Sequence, residues 1–457
     1  MRLTTTVNIA AVAAVVACAT AAIAQQKEKY RPPVAELEDY QKEALPPGIG
    51  VQHSDVDGPV FVDSRGHTLY TWPLDRLRNG DAGEQKGKPS CDDTKYTENS
   101  GLMSPYPPGL ILPDLDTRPT CIQVWPALLA PEGSQDVGKW TVVEGPGGRK
   151  QWAYDGFAVY TSVLDTRPGT VNGATRREQR GDAPALRKPI GPPPNHPPAF
   201  AVKTVATGRL LTNHIGFSVY TWDGDAPNKS NCKDNCLRDW TPVLASQSAQ
   251  SQGEWGVIER SPGVKQWTYR TRPVYTRVQD RRFRSLEGGD VQGWHNVYTQ
   301  KWPNPPQEFT VQDSRIGQVL ADKHGMTLYV YQCGDDALDQ LSCDHPTTTQ
   351  AYRLAICGNG DPALCNKTFA YVPAPRDAKV NNLIWGTSWI DPQSGKLAKP
   401  DAPGAMHVWT FRDRPVYTHG GDKKPGDANG DAWGEFNGFR NGWKAFWIRD
   451  DFLSNAG

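Results

Sequence analysis

Short stretches of alternating apolar and polar residues, separated by glycine- and proline-rich turns, run along the chain from about residue 58. In the first of these, alternation begins near Val60, residues 64–66 have the composition of a turn, and alternation resumes from Thr68 to Trp72. Period-two alternation on both sides of a glycine turn is typical of two antiparallel strands. The pattern therefore predicts a β-hairpin here.

A tyrosine motif recurs within these stretches. An aliphatic residue precedes the tyrosine and an aspartate follows five positions later, except that Asp335 comes one position late. Such a repeat indicates a unit that builds the fold. We expect the aliphatic residue and the tyrosine to pack on opposite faces of a strand, and the aspartate to cap the following turn through backbone N–H groups. The pairs are Tyr70/Asp75, Tyr160/Asp165, Tyr220/Asp225, Tyr275/Asp280, Tyr329/Asp335 and Tyr417/Asp422.

Cysteines and tryptophans keep step with the tyrosines. Cys121, Cys236 and Cys365 each lie four residues before an aromatic residue. Two tryptophans then precede the next tyrosine with the same spacing in the two clearest copies. These pairs are Trp140 with Trp152 and Trp255 with Trp267. The shared register predicts three copies of a bipartite unit.

The predicted fold is mainly β, with three tandem bipartite β-hairpin units that form small antiparallel sheets or sandwiches stapled by disulfides. The alternative arranges the six half-units as a six-bladed, propeller-like fold. The predicted segments are a signal peptide (1–24), a tether (25–57), unit 1 (58–165), a Pro-rich linker (166–198), unit 2 (199–306) and unit 3 (307–457).

Composition agrees with a turn-rich β protein. The chain has 44 glycines and 39 prolines in 457 residues, which favours short strands over long helices. Lys plus Arg and Asp plus Glu are both 50, so no net charge indicates nucleic acid or an anionic membrane surface as the partner.

The N-terminus has the pattern of an export signal. Arg2 precedes an apolar run at 9–17, and an Ala-x-Ala cleavage site ends at Ala24. Residues 15–18 also resemble a bacterial lipobox, in which Cys18 becomes the acylated first residue. Both alternatives predict a periplasmic or secreted protein, with membrane contact only through a lipid anchor at Cys18.

Eight cysteines remain once Cys18 is removed or acylated, and an even number in an oxidising compartment indicates disulfides. The four in unit 3 allow three pairings, of which the short loops favour one. A redox-active Cys-x-x-x-Cys in unit 2 is an alternative without a supporting flanking motif. The favoured pairings are Cys91–Cys121, Cys232–Cys236, Cys333–Cys343 and Cys357–Cys365.

Residues 427–435 imitate the first part of a calcium-binding loop, with oxygen-bearing side chains at positions 1, 3, 5 and 9. Gly438 stands where such a loop has its final glutamate, and an ordinary Asp/Asn/Gly-rich turn is the alternative. No other cofactor is predicted. The candidate Ca²⁺ ligands are Asp427, Asn429, Asp431 and Glu435.

Common catalytic motifs are absent from the sequence, including the Gly-x-Ser-x-Gly elbow, His-Glu-x-x-His and the phosphate-binding loop. His67 and His419 adjoin the tyrosine motif, and we expect both to be solvated loop residues. Tryptophans at repeat positions should mostly be core. Any that line an exposed groove would stack on sugar rings.

Residues 70–75 and 220–225 resemble the motif of a bacterial secreted-repeat family, predicted lipoproteins with a Tyr-x-(Phe/Trp/Tyr)-x-x-Asp signature. The Cys-x-x-x-Cys before Trp240 and the Arg-Pro-Val-Tyr sequences ending at Tyr275 and Tyr417 extend the resemblance. It implies an exported, β-rich repeat protein and no particular reaction. The middle aromatic residue is replaced by Ser162, Arg277 and His419.

The sequence therefore predicts an exported cell-envelope protein of non-enzymatic character that binds an unidentified envelope protein, ligand or glycan. The alternatives are an accessory protein or enzyme of periplasmic redox metabolism and a dedicated glycan-binding protein.

Overall fold

A computed structural model describes residues 37–72, 85–93, 120–173, 188–332, 346–347, 350–380, 382–433 and 442–449. It is mainly β, as predicted, and its strands form small antiparallel sheets. Neither a closed barrel nor a propeller is present in the described ranges. No helix within them is long and apolar enough to cross a membrane.

The first part of the chain, up to Pro189, forms three small antiparallel sheets. β1 pairs with β2, β3 with β7, and β4–β5–β6 form a meander. The elements are β1 (Gly50–Ser54), β2 (Gly58–Val62), β3 (Tyr70–Thr71), α1 (Cys121–Val124), β4 (Trp140–Glu144), a 3₁₀ turn (Pro146–Gly148), β5 (Lys150–Tyr154), β6 (Phe157–Ala158) and β7 (Lys188–Pro189).

The second part forms sheets in the orders β18-β9-β8, β11-β16-β10-β17 and β12-β14-β13, with β15 beside β14. Its elements are β8 (Phe200–Val205), β9 (Gly208–Asn213), β10 (Tyr220–Trp222), α2 (Cys236–Asp239), β11 (Trp240–Pro242), β12 (Leu244–Ala245), β13 (Trp255–Ser261), β14 (Val264–Tyr269), β15 (Arg272–Pro273), β16 (Tyr275–Arg277), a 3₁₀ turn (Glu287–Asp290), β17 (Trp294–Asn296) and β18 (Tyr298–Lys301).

The third part forms sheets in the orders β19-β20-β27 and β23-β24-β25-β21-β26, with β22 beside β25. Its elements are β19 (Thr310–Ser314), β20 (Gly317–Ala321), β21 (Tyr329–Gln332), α3 (Ala351–Gly358), α4 (Pro362–Thr368), β22 (Phe369–Tyr371), β23 (Trp385–Ile390), β24 (Met406–Phe411), β25 (Arg414–His419), β26 (Gly442–Ala445) and β27 (Trp447–Arg449).

In the second and third parts, the last strand returns to the first hairpin. β18 pairs with β9, and β27 pairs with β20, so each hairpin becomes a three-stranded antiparallel sheet. The first part has a comparable return, since the backbone N–H of Phe61 donates to the carbonyl of Ile190 at 2.8 Å. Within the 166–198 stretch, residues 188–190 therefore pair with the first hairpin and with β3.

The motif strands bury both faces, as the alternation predicts. Leu69 packs with Phe61 and Trp140, whereas Tyr70 packs in a separate cluster with Trp125. The same division occurs at Val219 and Tyr220 and at Leu328 and Tyr329. Each motif strand thus separates two apolar clusters, which explains why both its aliphatic and its aromatic positions are occupied by large side chains.

A strap at residues 37–41, within the predicted tether, lies against the second part of the chain. The Glu38 carboxylate, whose side chain is 1% exposed, accepts hydrogen bonds at 2.7 and 3.1 Å from the Arg209 guanidinium and another from the Thr299 hydroxyl. Backbone bonds join Gln41 to Pro193 and Asn195 to the Asp39 carbonyl. These contacts tie the N-terminal segment to strands more than 150 residues away.

Candidate functional site

The tyrosines of the motif meet in pairs across antiparallel strands. Tyr220 lies opposite Tyr275, and each donates its hydroxyl to the aspartate that follows the other. The Tyr220 hydroxyl is 2.7 Å from Asp280, and the Tyr275 hydroxyl is 2.8 Å from Asp225. All four residues are buried. The motif therefore works reciprocally between two half-units.

The same crossed bond recurs at the other tyrosine pairs. Tyr70 donates to Asp165 at 2.6 Å, and Tyr329 donates to Asp422 at 2.7 Å. Their opposite tyrosines are Tyr160, through a β-bridge, and Tyr417. The aspartates that follow Tyr70 and Tyr329 in the motif are Asp75 and Asp335, which lie outside the described residues.

The second carboxylate oxygen caps a turn, which confirms that part of the expectation. The backbone N–H of Asn172 donates to Asp165 at 2.7 Å, and that of Asn429 donates to Asp422 at 2.8 Å. Asn231 does the same for Asp225. The sequence interpretation missed the crossed tyrosine bond. The asparagine that recurs after the aspartate is the sequence signal that each of these carboxylates accepts a second hydrogen bond, from a backbone N–H.

Burial sets the electrostatics of these pairs. It raises the pKa of the Asp165 carboxyl to about 7, against the opposing effect of the Tyr70 hydrogen bond. Burial, together with its hydrogen bond to Asp225, raises the pKa of the Tyr275 hydroxyl to about 12. Burial also raises the pKa values of Tyr220 and Tyr329, so these hydroxyls remain neutral donors. The arrangement is a buried hydrogen-bonded contact between two half-units.

The disulfides follow the expected pairings wherever both cysteines are described. Cys91 is bonded to Cys121, Cys232 to Cys236 and Cys357 to Cys365. The last pairing connects α3 to α4. Cys333 and Cys343 lie outside the described residues, so their pairing stays a prediction.

The candidate calcium loop has side chains engaged with the backbone. The Asp427 carboxylate accepts from the N–H groups of Lys423 and Lys424, and Asp431 accepts from Ala445. The Asn429 side chain donates to the Gly421 carbonyl at 3.2 Å. Glu435 lies outside the described residues, and within the described ranges no three His, Cys, Asp or Glu side chains converge as metal ligands. Calcium binding stays a prediction.

The two histidines beside the motif differ. His67 lies in the turn between β2 and β3, partly exposed and 3.3 Å from Asp63. His419 is the last residue of β25 and is buried against Phe369 and Trp433, with ring centroids 4.8 and 5.5 Å away. The expectation of a solvated loop histidine is therefore wrong for His419, because β25 continues to this residue and its ring packs against aromatic side chains.

Most tryptophans at repeat positions are core, as expected. Trp222 is half-buried and stacks on Trp294, which in turn stacks on Trp240 at 3.6 Å. Little aromatic surface is therefore left at these positions for stacking on sugars. The buried ones are Trp72, Trp125, Trp140, Trp152, Trp240, Trp255 and Trp267.

A small polar cleft, with room for about one water molecule, lies where the first and third parts of the chain meet. Residues 54–56, 169–172 and 383–384 line it together with Arg412. These segments are remote in sequence, so no local sequence motif indicates the cleft.

Asp55 is the buried acid of this cleft. Its carboxylate accepts the Leu383 backbone N–H at 2.7 Å. Burial raises its pKa to about 6, against the lowering effects of that hydrogen bond and of Arg167. Arg412 lies 3.7 Å from Asp57 at the rim. An acid with a pKa of about 6 and a guanidinium therefore line the same small cleft.

Further charged contacts close the same junction. Asp413 accepts from the Asn172 side chain and pairs with Arg167 at 3.4 Å, and Arg414 donates to the Asn172 carbonyl at 2.9 Å. Asn172 is thus held by the aspartate cap on one side and by β25 and its preceding turn on the other.

A comparison with protein families decides one point. Residues 201–244 match the family described as a secreted repeat of unknown function. The match spans the chain from β8 to β12 and includes Tyr220, Asp225 and the Cys232–Cys236 disulfide. The resemblance to a secreted-repeat family is confirmed, and it supports an extracellular or envelope location. No curated protein and no solved structure shows significant similarity to the chain.

Proposed function

We propose that the chain is an exported cell-envelope protein of three tandem bipartite repeats that binds a protein partner or ligand and does no chemistry at its repeated motif. The observation that carries this proposal is the crossed tyrosine–aspartate bond. Its members are buried and satisfy one another, as in Tyr220 with Asp280 and Tyr329 with Asp422. Because the motif tyrosines and aspartates hold the half-units together, we expect the loops and exposed surfaces to carry the function. The secreted-repeat match supports export.

Export and anchoring are tested on the full chain in a bacterial host fed with a labelled fatty acid. A lipoprotein would carry the label in the envelope fraction and lose it in Cys18→Ser. Cleavage after Ala24 would instead yield an unlabelled mature protein beginning at Gln25 in both variants. Recovery of the intact chain in the cytoplasm would contradict the proposal.

Exposed apolar residues at corresponding positions support a binding surface. Leu244 and Val278 are both 58% exposed. Leu129 and Val163 are their counterparts in the first part of the chain. Leu129 bridges Gln151 as Leu244 pairs with Gln266. The backbone N–H groups of both valines donate to the last residue of a short helix that begins with a disulfide-bonded cysteine. Apolar side chains that are exposed at corresponding positions in two parts of the chain are candidates for contact with a partner.

The exposed residues are tested in intact cells with a photo-crosslinking residue at position 246, which is exposed and lies two residues after Leu244. We expect a discrete adduct that Leu244→Ser/Val278→Ser abolishes without lowering the unfolding temperature, since both side chains are exposed. Val264→Ser is the matched control, because Val264 is exposed on β14 outside this pair. Adducts that persist in the double variant would contradict binding at this surface.

A further inference from the structure

The α3–α4 hairpin places an arginine against a disulfide. Arg353 and Cys357 are four residues apart on α3 and so share one face of the helix. α4 brings Cys365 to the same face, where the Cys357–Cys365 disulfide closes. The Arg353 Nη1 atom lies 3.2 Å from the Cys365 sulfur. Both Arg353 and Cys365 are fully buried.

Arg353 forms no ion pair with an acidic side chain of the described residues. Its Nε donates to the Gln350 side chain at 3.1 Å, and its guanidinium lies 5.4 Å from the Tyr371 ring centroid. Among the described residues no carboxylate pairs with it and its Nη2 has no hydrogen-bond acceptor. A buried cation without a counter-charge costs several kcal/mol and is uncommon unless an anion can form beside it.

Two tyrosine hydroxyls and the turn after β23 face the guanidinium. Burial raises the pKa values of Tyr371 and Tyr417, so both hydroxyls stay protonated on the β22 and β25 side. Asp391 acts on this cluster from the turn after β23, and Gly395 of that turn packs on the guanidinium closely enough that a Cβ there would collide with it. A thiolate on Cys365 is the anion that would balance the positive charge of the Arg353 guanidinium.

We propose that Cys357–Cys365 is a redox-active disulfide, reduced by an extracytoplasmic dithiol, in which Arg353 holds the Cys365 thiolate. An adjacent guanidinium lowers the pKa of a thiol, and a low-pKa thiol is both a good leaving group and a stabilised reduced product. This inference is independent of the proposed binding function and assigns a site that the repeated motif does not contain.

The reaction balances as follows. A thiolate of the dithiol attacks the Cys357 sulfur, the Cys357–Cys365 bond breaks, and its electron pair leaves on the Cys365 sulfur beside Arg353. The second thiol of the reductant loses its proton to solvent and attacks the reductant's first sulfur, which is now bonded to Cys357. This breaks the mixed disulfide and releases Cys357, which takes a proton. The dithiol is oxidised to a disulfide by two electrons. Cys357 is 6% exposed and Cys365 is not exposed, which favours attack at Cys357.

The other described disulfides lack this arrangement. The Cys91 sulfur faces the Trp125 carbonyl at 3.9 Å. Near Cys232 a second arginine, Arg260, donates to the backbone carbonyl of Cys232 at 2.7 Å and not to sulfur. Both disulfides therefore serve as internal references.

The test equilibrates the full mature protein in dithiothreitol buffers of defined reduced-to-oxidised ratio at pH 7, followed by acid quench, alkylation and peptide mass mapping. We expect Cys357–Cys365 to be half-reduced at a ratio at least about tenfold lower than Cys91–Cys121. Equal or later reduction of Cys357–Cys365 would overturn the proposal.

Variants separate charge from packing. Arg353→Met should require about tenfold more reductant, and Arg353→Lys, which keeps the cation, should retain most of the wild-type behaviour. Arg260→Met should leave Cys232–Cys236 unchanged. If Arg353→Met fails to fold, the pH profile of Cys365 alkylation in reduced wild type decides. A thiolate that persists at lower pH than at Cys121 supports the proposal, and identical profiles refute it.

Discussion

At the scale of single residues, the tyrosine and aspartate of the motif form a structural pair. A tyrosine hydroxyl that is buried without a hydrogen-bond partner would lower the free energy of unfolding, and so would an unpartnered buried carboxylate. The crossed bond satisfies both at once, and the capped asparagine N–H engages the remaining oxygen, as at Tyr329, Asp422 and Asn429. The recurrence of the motif in the sequence predicted that these residues build the fold. It did not predict that each aspartate serves the tyrosine of the opposite half-unit.

Tyr329→Phe should lower the free energy of unfolding by about 1–3 kcal/mol, because it leaves the Asp422 carboxylate and the Gly430 N–H each short of a partner. Asp422→Asn should also destabilise the protein. The double variant should cost less than the sum of the two, by about 1 kcal/mol or more, in urea unfolding.

Tyr269→Phe is the matched control for that cycle. Its hydroxyl donates to Glu254, whose side chain is about one-third exposed and can be solvated in the variant. A smaller loss is expected there. A coupling near zero between Tyr329 and Asp422 would show that their contact contributes nothing to stability.

At the scale of elements, the turns from β2 to β3 and from β20 to β21 depend on glycine for both conformation and space. Gly66 and Gly325 have φ of 86° and 80°. A Cβ on Gly66 would lie 2.9 Å from Pro168, and one on Gly325 would lie 2.8 Å from Pro425. In both places the tail that follows the capping aspartate packs on the hairpin turn. Sequence alternation predicted the hairpin, but not the proline that rests on it.

Gly325→Ala should therefore cost more than an ordinary left-handed glycine. Gly263→Ala is the control, because Gly263 has φ of 74° but nothing within 4 Å of an added Cβ. We expect a loss of about 1 kcal/mol for Gly263→Ala and about 2–3 kcal/mol for Gly325→Ala in chemical denaturation. Equal losses of unfolding free energy in the two variants would mean that Pro425 shifts to admit the added Cβ without cost.

At the scale of the whole molecule, the junction between the first and third parts contributes to the pH dependence of stability. The folded-state pKa of Asp55 is raised to about 6 from an ordinary value of 3.8. The folded protein therefore binds more protons than the unfolded chain between about pH 4 and 6. Stability from this group falls as pH rises through that window and stays lower above it. Asp165, with a pKa of about 7, acts in the same direction.

Asp55→Asn should stabilise the protein by about 2 kcal/mol at pH 8 and should have little effect near pH 4, because asparagine can still accept the Leu383 N–H without a buried charge. Thermal unfolding across pH 4–8 measures this. Asp427→Asn is the opposite control, since hydrogen bonds from Lys423 and Lys424 lower the pKa of that exposed carboxyl. A pH-independent gain from Asp55→Asn would contradict the assignment.

Local sequence sufficed for the features that depend on neighbouring residues. Alternation determines which residues of a short strand are buried, glycine determines where the hairpin turns, and short cysteine spacings determine the pairings within one loop. These reasons explain why the mainly β fold, the core tryptophans and the pairing of Cys357 with Cys365 could be predicted.

Tertiary structure alone decided the contacts between distant segments. The crossed tyrosine–aspartate bonds, the return of residues 188–190 to the first hairpin, the burial of His419 and the cleft at Asp55 all depend on which sheets pack together. The contact of Arg353 with sulfur likewise requires α4 to fold back on α3. Such partners are chosen by shape and by the need to satisfy buried polar groups, and no local pattern of residues encodes that choice.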